Sequence, residues 1–230
     1  MFQELEPQKV LKRFWNPLPL WRGGRQGFVL RTNDMEYVMG YCHYWTQHRD
    51  FTKEEWSSLT KDVKALFDCL PHKKVKAPGH GFLGGMKVVR PEICGPFSKK
   101  NPPVVNDEEI VFADKKDHWR TQVFRLNRTT EILGPQGILD GKDGEYGCKT
   151  NLEAYDIVVC AVLILAKFRG GDAIDIRSDG KFSEEWQRAF DLLERRVAEQ
   201  WDRSERSRYI KTKWRLEDQD KNKDEEREER

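Results

Sequence analysis

A chain of 230 residues is long enough for one filled core with appended arms, and 37% hydrophobic residues against 35% charged, with eight Trp and twelve Phe, exclude global disorder. A net charge of only +2 excludes a whole-molecule field that would drive the protein onto DNA or an anionic membrane, so any such contact is local. The five cysteines, Cys42, Cys69, Cys94, Cys148 and Cys160, are odd in number and never form a Cys-x-x-Cys pair; they exclude a disulfide framework and predict reduced thiols in a cytoplasmic protein.

The opening Met1-Phe2-Gln3-Glu4, followed by Glu6 and Pro7, has neither the basic nor the apolar region of a signal peptide. From Met1 to Arg25, prolines 7, 17 and 19 alternate with Phe14, Trp15 and Trp21, which predicts an aromatic arm that straps onto a surface. Between Phe28 and Trp45 neither a period of 2 nor one of 3.6 fits, so the element type stays open. The first clear helix runs from Lys53 to Leu70. Thr52 and Glu55 form a capping box, Phe51 staples onto Trp56, and Trp56, Leu59, Val63, Leu66, Phe67 and Leu70 recur at helical spacing.

From His72 to Pro103 the chain is rich in Gly, Pro and Lys and reads mostly as loop, with a short strand at Met86–Val89. Glu109–Ala113 and Thr121–Leu126 read as an antiparallel hairpin. After a glycine-rich loop from Gly134 to Gly147, residues Leu152 to Phe168 predict a helix capped by Thr150 or Asn151. It is apolar all round and so buried all round. Its apolar run, Ile157 to Ala166, falls short of the ~20 residues that span a bilayer, so no membrane contact is expected. A strand at Ala173–Arg177 and a helix capped by Ser183 follow. Beyond Trp201 the chain is basic to Arg215 and acidic from Glu217, which predicts an exposed helix fading into a disordered tail. The expected organisation is an arm over 1–25, a single α+β domain over 26–201 in which a small antiparallel hairpin or sheet packs against a buried helix and two amphipathic helices, and a charged tail over 202–230.

Few motifs carry chemistry. Gly79-His80-Gly81-Phe82-Leu83-Gly84 has dinucleotide-loop spacing, but Pro78 stands where a strand should end and Lys87–Arg90 reads as strand where a helix should begin. His48-Arg49-Asp50 copies a kinase triplet without the Asn and Asp-Phe-Gly that must accompany it. Cys42, His43 and His48 offer zinc's usual ligand types with no second ligand pair at diagnostic spacing, and Asp140, Asp143 and Glu145 fail the EF-hand pattern; no metal or cofactor is assigned. No nucleophile elbow occurs, so no catalytic residues are assigned and the chain reads as non-enzymatic.

Two groups remain as binding candidates. Lys73, Lys74, Lys76, Arg90, Lys99 and Lys100, with Arg208, Lys211 and Lys213 beside the aromatics Tyr209 and Trp214, could follow a nucleic-acid backbone. Lys149 ahead of a helix N-terminus, with Thr150, Tyr155, Asp156 and Asp179, could receive a small anion such as a phosphorylated ligand, which keeps open the alternative of a receptor for it or an enzyme acting on it.

The series Cys148-Lys149-Thr150, Tyr155-Asp156, Ala166-Lys167, Gly171-Asp172-Ala173, Ser178-Asp179-Gly180 and Trp186, with Ile110, Phe112 and Phe124 upstream, resembles a family of small proteins encoded by tailed bacteriophages and prophages. The likeness covers Glu109 to Leu193. It departs at Ala113-Asp114, where the family places Asn-Gly, and at Asn151–Ala154, where the family places basic residues and Pro. The resemblance implies a viral origin and an accessory role in the host cytoplasm, binding a host protein or nucleic acid. It implies no reaction.

Overall fold

Thr52 and Glu55 open the first helix as their spacing predicts: Glu55 N–H donates to Thr52 Oγ1 at 3.1 Å, Thr52 N–H donates to Glu55 Oε2 at 2.9 Å, and the Phe51 and Trp56 rings meet at 5.5 Å. This computed structural model describes residues 31–32, 35–36, 41–70, 75–78, 86–89, 92–96, 98–116, 121–130 and 145–228. The chain divides into two units, Met1–Met39 and Gly40–Arg230. In the first, β1 (Arg31–Thr32) pairs antiparallel with β2 (Met35–Glu36). The expected arm over 1–25 lies outside the described residues.

The second unit contains, in order, β3 (Cys42–Gln47), α1 (Lys53–Asp68), β4 (Val75–Pro78), β5 (Met86–Val89), β6 (Ile93–Cys94), β7 (Val104–Val105), β8 (Glu109–Asp114), β9 (Phe124–Asn127), β10 (Glu145–Lys149), α2 (Asp156–Gly170), β11 (Ile174–Ser178), α3 (Gln187–Arg196) and α4 (Arg203–Glu228). The fold is α+β with antiparallel pairing. The hairpin is β8–β9, with Phe112 opposite Phe124, and β6 and β7 also pair with β8. The strand at Met86–Val89 pairs with β4, in a stretch that reads as loop from sequence. A second sheet has the order β10–β3–β11, so the segment whose type stayed open supplies its central strand.

Helix α2 passes through the middle of the core. Every residue from Val158 to Ala166 is at most 1% exposed, and α1, α3, α4 and β11 all pack against it. Among the described residues no helix is long and apolar enough to cross a membrane.

Three expectations need correction. Helix α2 begins at Asp156 and has no side-chain cap, because Asn151 and Leu152 take left-handed φ values of 53° and 55° and turn the chain before a helix can start. Helix α3 begins at Gln187, because the Ser183 N–H and hydroxyl both donate to Asp220 Oδ2, each at 2.8 Å, and cannot serve as its cap. Finally, α4 is the charged helix that the composition predicts, but over residues 203–221 it is not simply exposed. Tyr209 and Leu216, 2% and 0% exposed, belong to the core, and Tyr209 packs on Trp201 at 4.9 Å and Phe168 at 5.7 Å. Two anchors seven residues apart hold the helix but leave little apolar periodicity in the sequence.

Candidate functional site

The pieces of the sequence series converge on His43. Strand β3 is central, so its residues meet both neighbours in register: His43 stands opposite Cys148 on β10 and Ser178 on β11, and all three face α2. Beneath them, Asp156 and Cys160 sit one turn apart at the start of α2 and point the same way. Thr150, in the turn before α2, closes the group.

Every member is hydrogen-bonded, and the proton positions follow from the donors. Gly180 N–H and Trp186 Nε1–H reach Ser178 Oγ at 3.0 and 3.2 Å and occupy its two lone pairs. The Ser178 hydroxyl is therefore left to donate to His43 Nδ1, at 2.9 Å. With Nδ1 accepting, the ring carries its proton on Nε2 and donates to Asp156 Oδ1 at 2.7 Å. The Thr150 hydroxyl donates to the same oxygen. The Cys160 thiol lies 3.4 Å from His43 Nε2 and 3.8 Å from Asp156 Oδ2. Tyr41 and Trp186 hold the imidazole edge-on from two sides, at 5.1 and 5.0 Å.

His43 and Thr150 are completely buried, Cys160 is 1% exposed and Asp156 6%. Burial, then the Asp156 charge, pushes the Cys160 thiol well above its ordinary range. The one imidazole nitrogen near the thiol carries a hydrogen that points to Asp156, and the thiol itself donates to Asp156 Oδ2, so the imidazole is not poised to take the thiol proton. A covered, protonated sulfur with no imidazole base is a poor nucleophile.

The five residues expected around a small anion do not form a receptor for one. Thr150 and Asp156 meet, but inside the protein, and the Asp156 carboxylate occupies the α2 N-terminus where an anion would bind. Tyr155 faces the other way: it packs edge-on against Phe112 at 5.7 Å and donates to the Gln122 carbonyl at 2.6 Å, with Cys148 Sγ 3.2 Å from its hydroxyl. Burial pushes the Cys148 thiol up to about 12. Asp179 is exposed, and its Oδ2 accepts the Cys42 N–H at 2.8 Å. Lys149 sits on the far side of β10, paired with Cys42.

The basic candidates separate as well. Lys73, Lys74 and Arg90 lie outside the described residues, as does the side chain of Lys76. Lys99 and Lys100 are exposed, with Lys99 Nζ on the Lys116 carbonyl at 3.1 Å. Arg208 lies over the Phe168 ring at 5.7 Å, and Lys213 turns inward to Glu194 at 2.9 Å. Lys211 is exposed on the outer face of α4. That face also carries Ile210 and Trp214, 43% and 61% exposed, the large hydrophobic side chains that stand out in water among the described residues. Arg203 and Arg215 flank them, exposed, and with Lys211 they make no ion pair among the described residues.

Cys160 is the member of the cluster that sequence reading missed as a partner. It lies in a wholly apolar helix, where a buried thiol is ordinary. The available signal was its spacing of four from Asp156. No family model, curated protein or solved structure matches the chain.

Proposed function

We propose that this chain is a non-enzymatic accessory protein that binds single-stranded nucleic acid along the outer face of α4. The observation that carries the reading is Trp214 exposed one turn from Ile210, with Lys211 and Arg215 beside it and Arg203 about three turns toward the N-terminus of the helix. An exposed indole offers a surface for stacking a base, and cations without carboxylate partners can replace the counterions of a phosphate backbone. Glu217 and Asp218 follow on the C-terminal side of Trp214 and repel phosphate, so the strand runs from Trp214 toward Arg203. Lys213, paired with Glu194, takes no part in the contact. The likeness to tailed-phage proteins supports an accessory role in an infected cell.

The test is binding of a fluorescently labelled oligonucleotide by the full-length protein over a range of salt concentrations. The expected result is an affinity that falls steeply with salt and is weakened roughly tenfold or more by Trp214→Ala, in line with ~1–3 kcal/mol per stacked base. No binding at low salt, or binding indifferent to both salt and Trp214, would overturn the reading.

A further inference from the structure

We propose that His43 Nε2, the Asp156 carboxylate and Cys160 Sγ form a binding site for a divalent transition-metal ion, with zinc the best match to the donors. The three ligand atoms lie within 4.8 Å of one another, all buried, on two separate elements of the core. A tetrahedral zinc with bonds of about 2.0 Å to nitrogen and oxygen and 2.3 Å to sulfur sets its donors roughly 3.3–3.5 Å apart. The imidazole–sulfur distance is 3.4 Å and the sulfur–carboxylate distance 3.8 Å. A hydrogen bond holds His43 and Asp156 closer, at 2.7 Å, and that bond is what an ion would replace. Mixed nitrogen, oxygen and sulfur donors exclude magnesium and calcium, which take oxygen.

Charge supports the same assignment. One carboxylate and one thiolate balance a dication, so the loaded site is electrically neutral where an isolated charge would be costly to bury. Thr150 holds Asp156 Oδ1, while Oδ2 accepts the Cys160 thiol and faces the ion once that thiol has given up its proton. Metal-bound histidines characteristically donate their other N–H to an acceptor, and Ser178 Oγ stands 2.9 Å from Nδ1.

An unusual buried group completes the arrangement. The Tyr41 hydroxyl is enclosed beside Ser178 with no hydrogen-bond partner within normal geometry. On metal binding the imidazole proton leaves Nε2 and one is taken up at Nδ1, which donates to Ser178. The Ser178 hydroxyl then swings to the waiting Tyr41 oxygen, and the Trp186 N–H, the longer of the two backbone and indole donors at 3.2 Å, shares a lone pair. Cys160 gives up its thiol proton, so one proton leaves for each ion bound. A tetrahedral shell would be completed by a water that enters with the ion.

The experiment is titration of the full-length, chelator-treated protein with cobalt(II) chloride, followed by absorption spectroscopy and displacement with zinc chloride. Expected are one equivalent of cobalt, a thiolate-to-cobalt charge-transfer band, and intense visible bands of tetrahedral type. Cys160→Ser, checked for folding by circular dichroism, loses the charge-transfer band, whereas Cys42→Ser keeps it. Ser178→Ala keeps the band but binds about 10–100-fold more weakly. No band at saturating cobalt overturns the proposal, as does a band that survives Cys160→Ser and vanishes in Cys42→Ser. If Cys160→Ser does not fold, X-ray absorption of the cobalt-loaded wild-type protein decides. One sulfur with an imidazole supports the site, and a shell with no sulfur or several overturns it.

Discussion

Arg169 on α2 and Asp62 on α1 form an ion pair at 2.7 Å with both side chains more than nine-tenths out of water. Trp201 Nε1–H donates to the other Asp62 oxygen at 3.0 Å, and Arg169 also reaches Glu205 on α4 at 2.6 Å. One guanidinium thus ties three helices together. Asp62→Ala leaves the buried Arg169 with Glu205 as its remaining carboxylate and takes the acceptor from the Trp201 indole, so it is expected to lower stability by about 3 kcal/mol in urea denaturation. A loss under about 1 kcal/mol would show that water reaches Arg169 in the variant.

Acid should loosen the same junction. The Arg169 guanidinium, opposed by some burial, holds the Glu205 carboxyl below its ordinary value of 4.5. A carboxyl whose folded value is depressed contributes stability that is present above the unfolded value and lost as pH falls through the folded one. The stability difference between wild type and Glu205→Gln should therefore be constant from neutral pH to about pH 5 and shrink below about pH 4.5. A difference that stays constant through the acid range would remove Glu205 from the account.

Gly170 ends α2 against the Phe51 ring, and a Cβ there would run into that ring. Alanine is favoured over glycine in a helix by up to ~1 kcal/mol, but overpacking a filled core costs about 1–3 kcal/mol. Packing should win. Gly170→Ala is expected to melt at a lower temperature than wild type, and a stabilised variant would mean that Phe51 can move aside.

The thiols should differ in reactivity. Cys42, Cys94, Cys148 and Cys160 are buried, and burial raises each of them; Cys69 is the half-exposed one, raised also. In the native protein a disulfide reagent should modify one thiol per chain, slowly and faster at alkaline pH, and all five after denaturation. Rapid reaction of a second thiol would point to local opening of the core.

Helix α4 should behave as part of the core. Leu216→Ala is expected to cost about 2–4 kcal/mol, although it lies in a stretch of almost wholly charged residues. A cost within about 0.5 kcal/mol would return this segment to the status of a surface appendage.

What the sequence made legible were features whose signals are local. The Thr52–Glu55 box, the Phe51 staple, the all-round burial of α2 and the β8–β9 hairpin each follow from residues close together in the chain. The second sheet does not, because β10 is short and emerges from a glycine-rich stretch while β3 lacks clean alternation. The start of α2 was misplaced for a similar reason: no propensity scale anticipates two consecutive left-handed residues at Asn151 and Leu152. For the site, each of Thr150, Asp156, Ser178 and His43 is visible in the sequence as a polar residue of its own segment. What linked them was pairing between residues as far apart as His43 and Ser178, separated by 135 positions. Short spacing patterns cannot carry that information.

The central position of β3 also bears on how the protein is made. Both of its neighbours are translated long after it, so the nascent chain must hold Trp45 and Tyr44 unpaired until β10 and then β11 emerge. At ribosomal speeds of ~5–20 residues per second the delay is on the order of ten seconds, and the apolar α2 also emerges before α3 and α4 exist to cover it. Contacts this distant in sequence close slowly. A newly synthesised chain should therefore depend on a chaperone that shields strand edges and apolar helices, far more than the finished protein's well-filled interior would suggest.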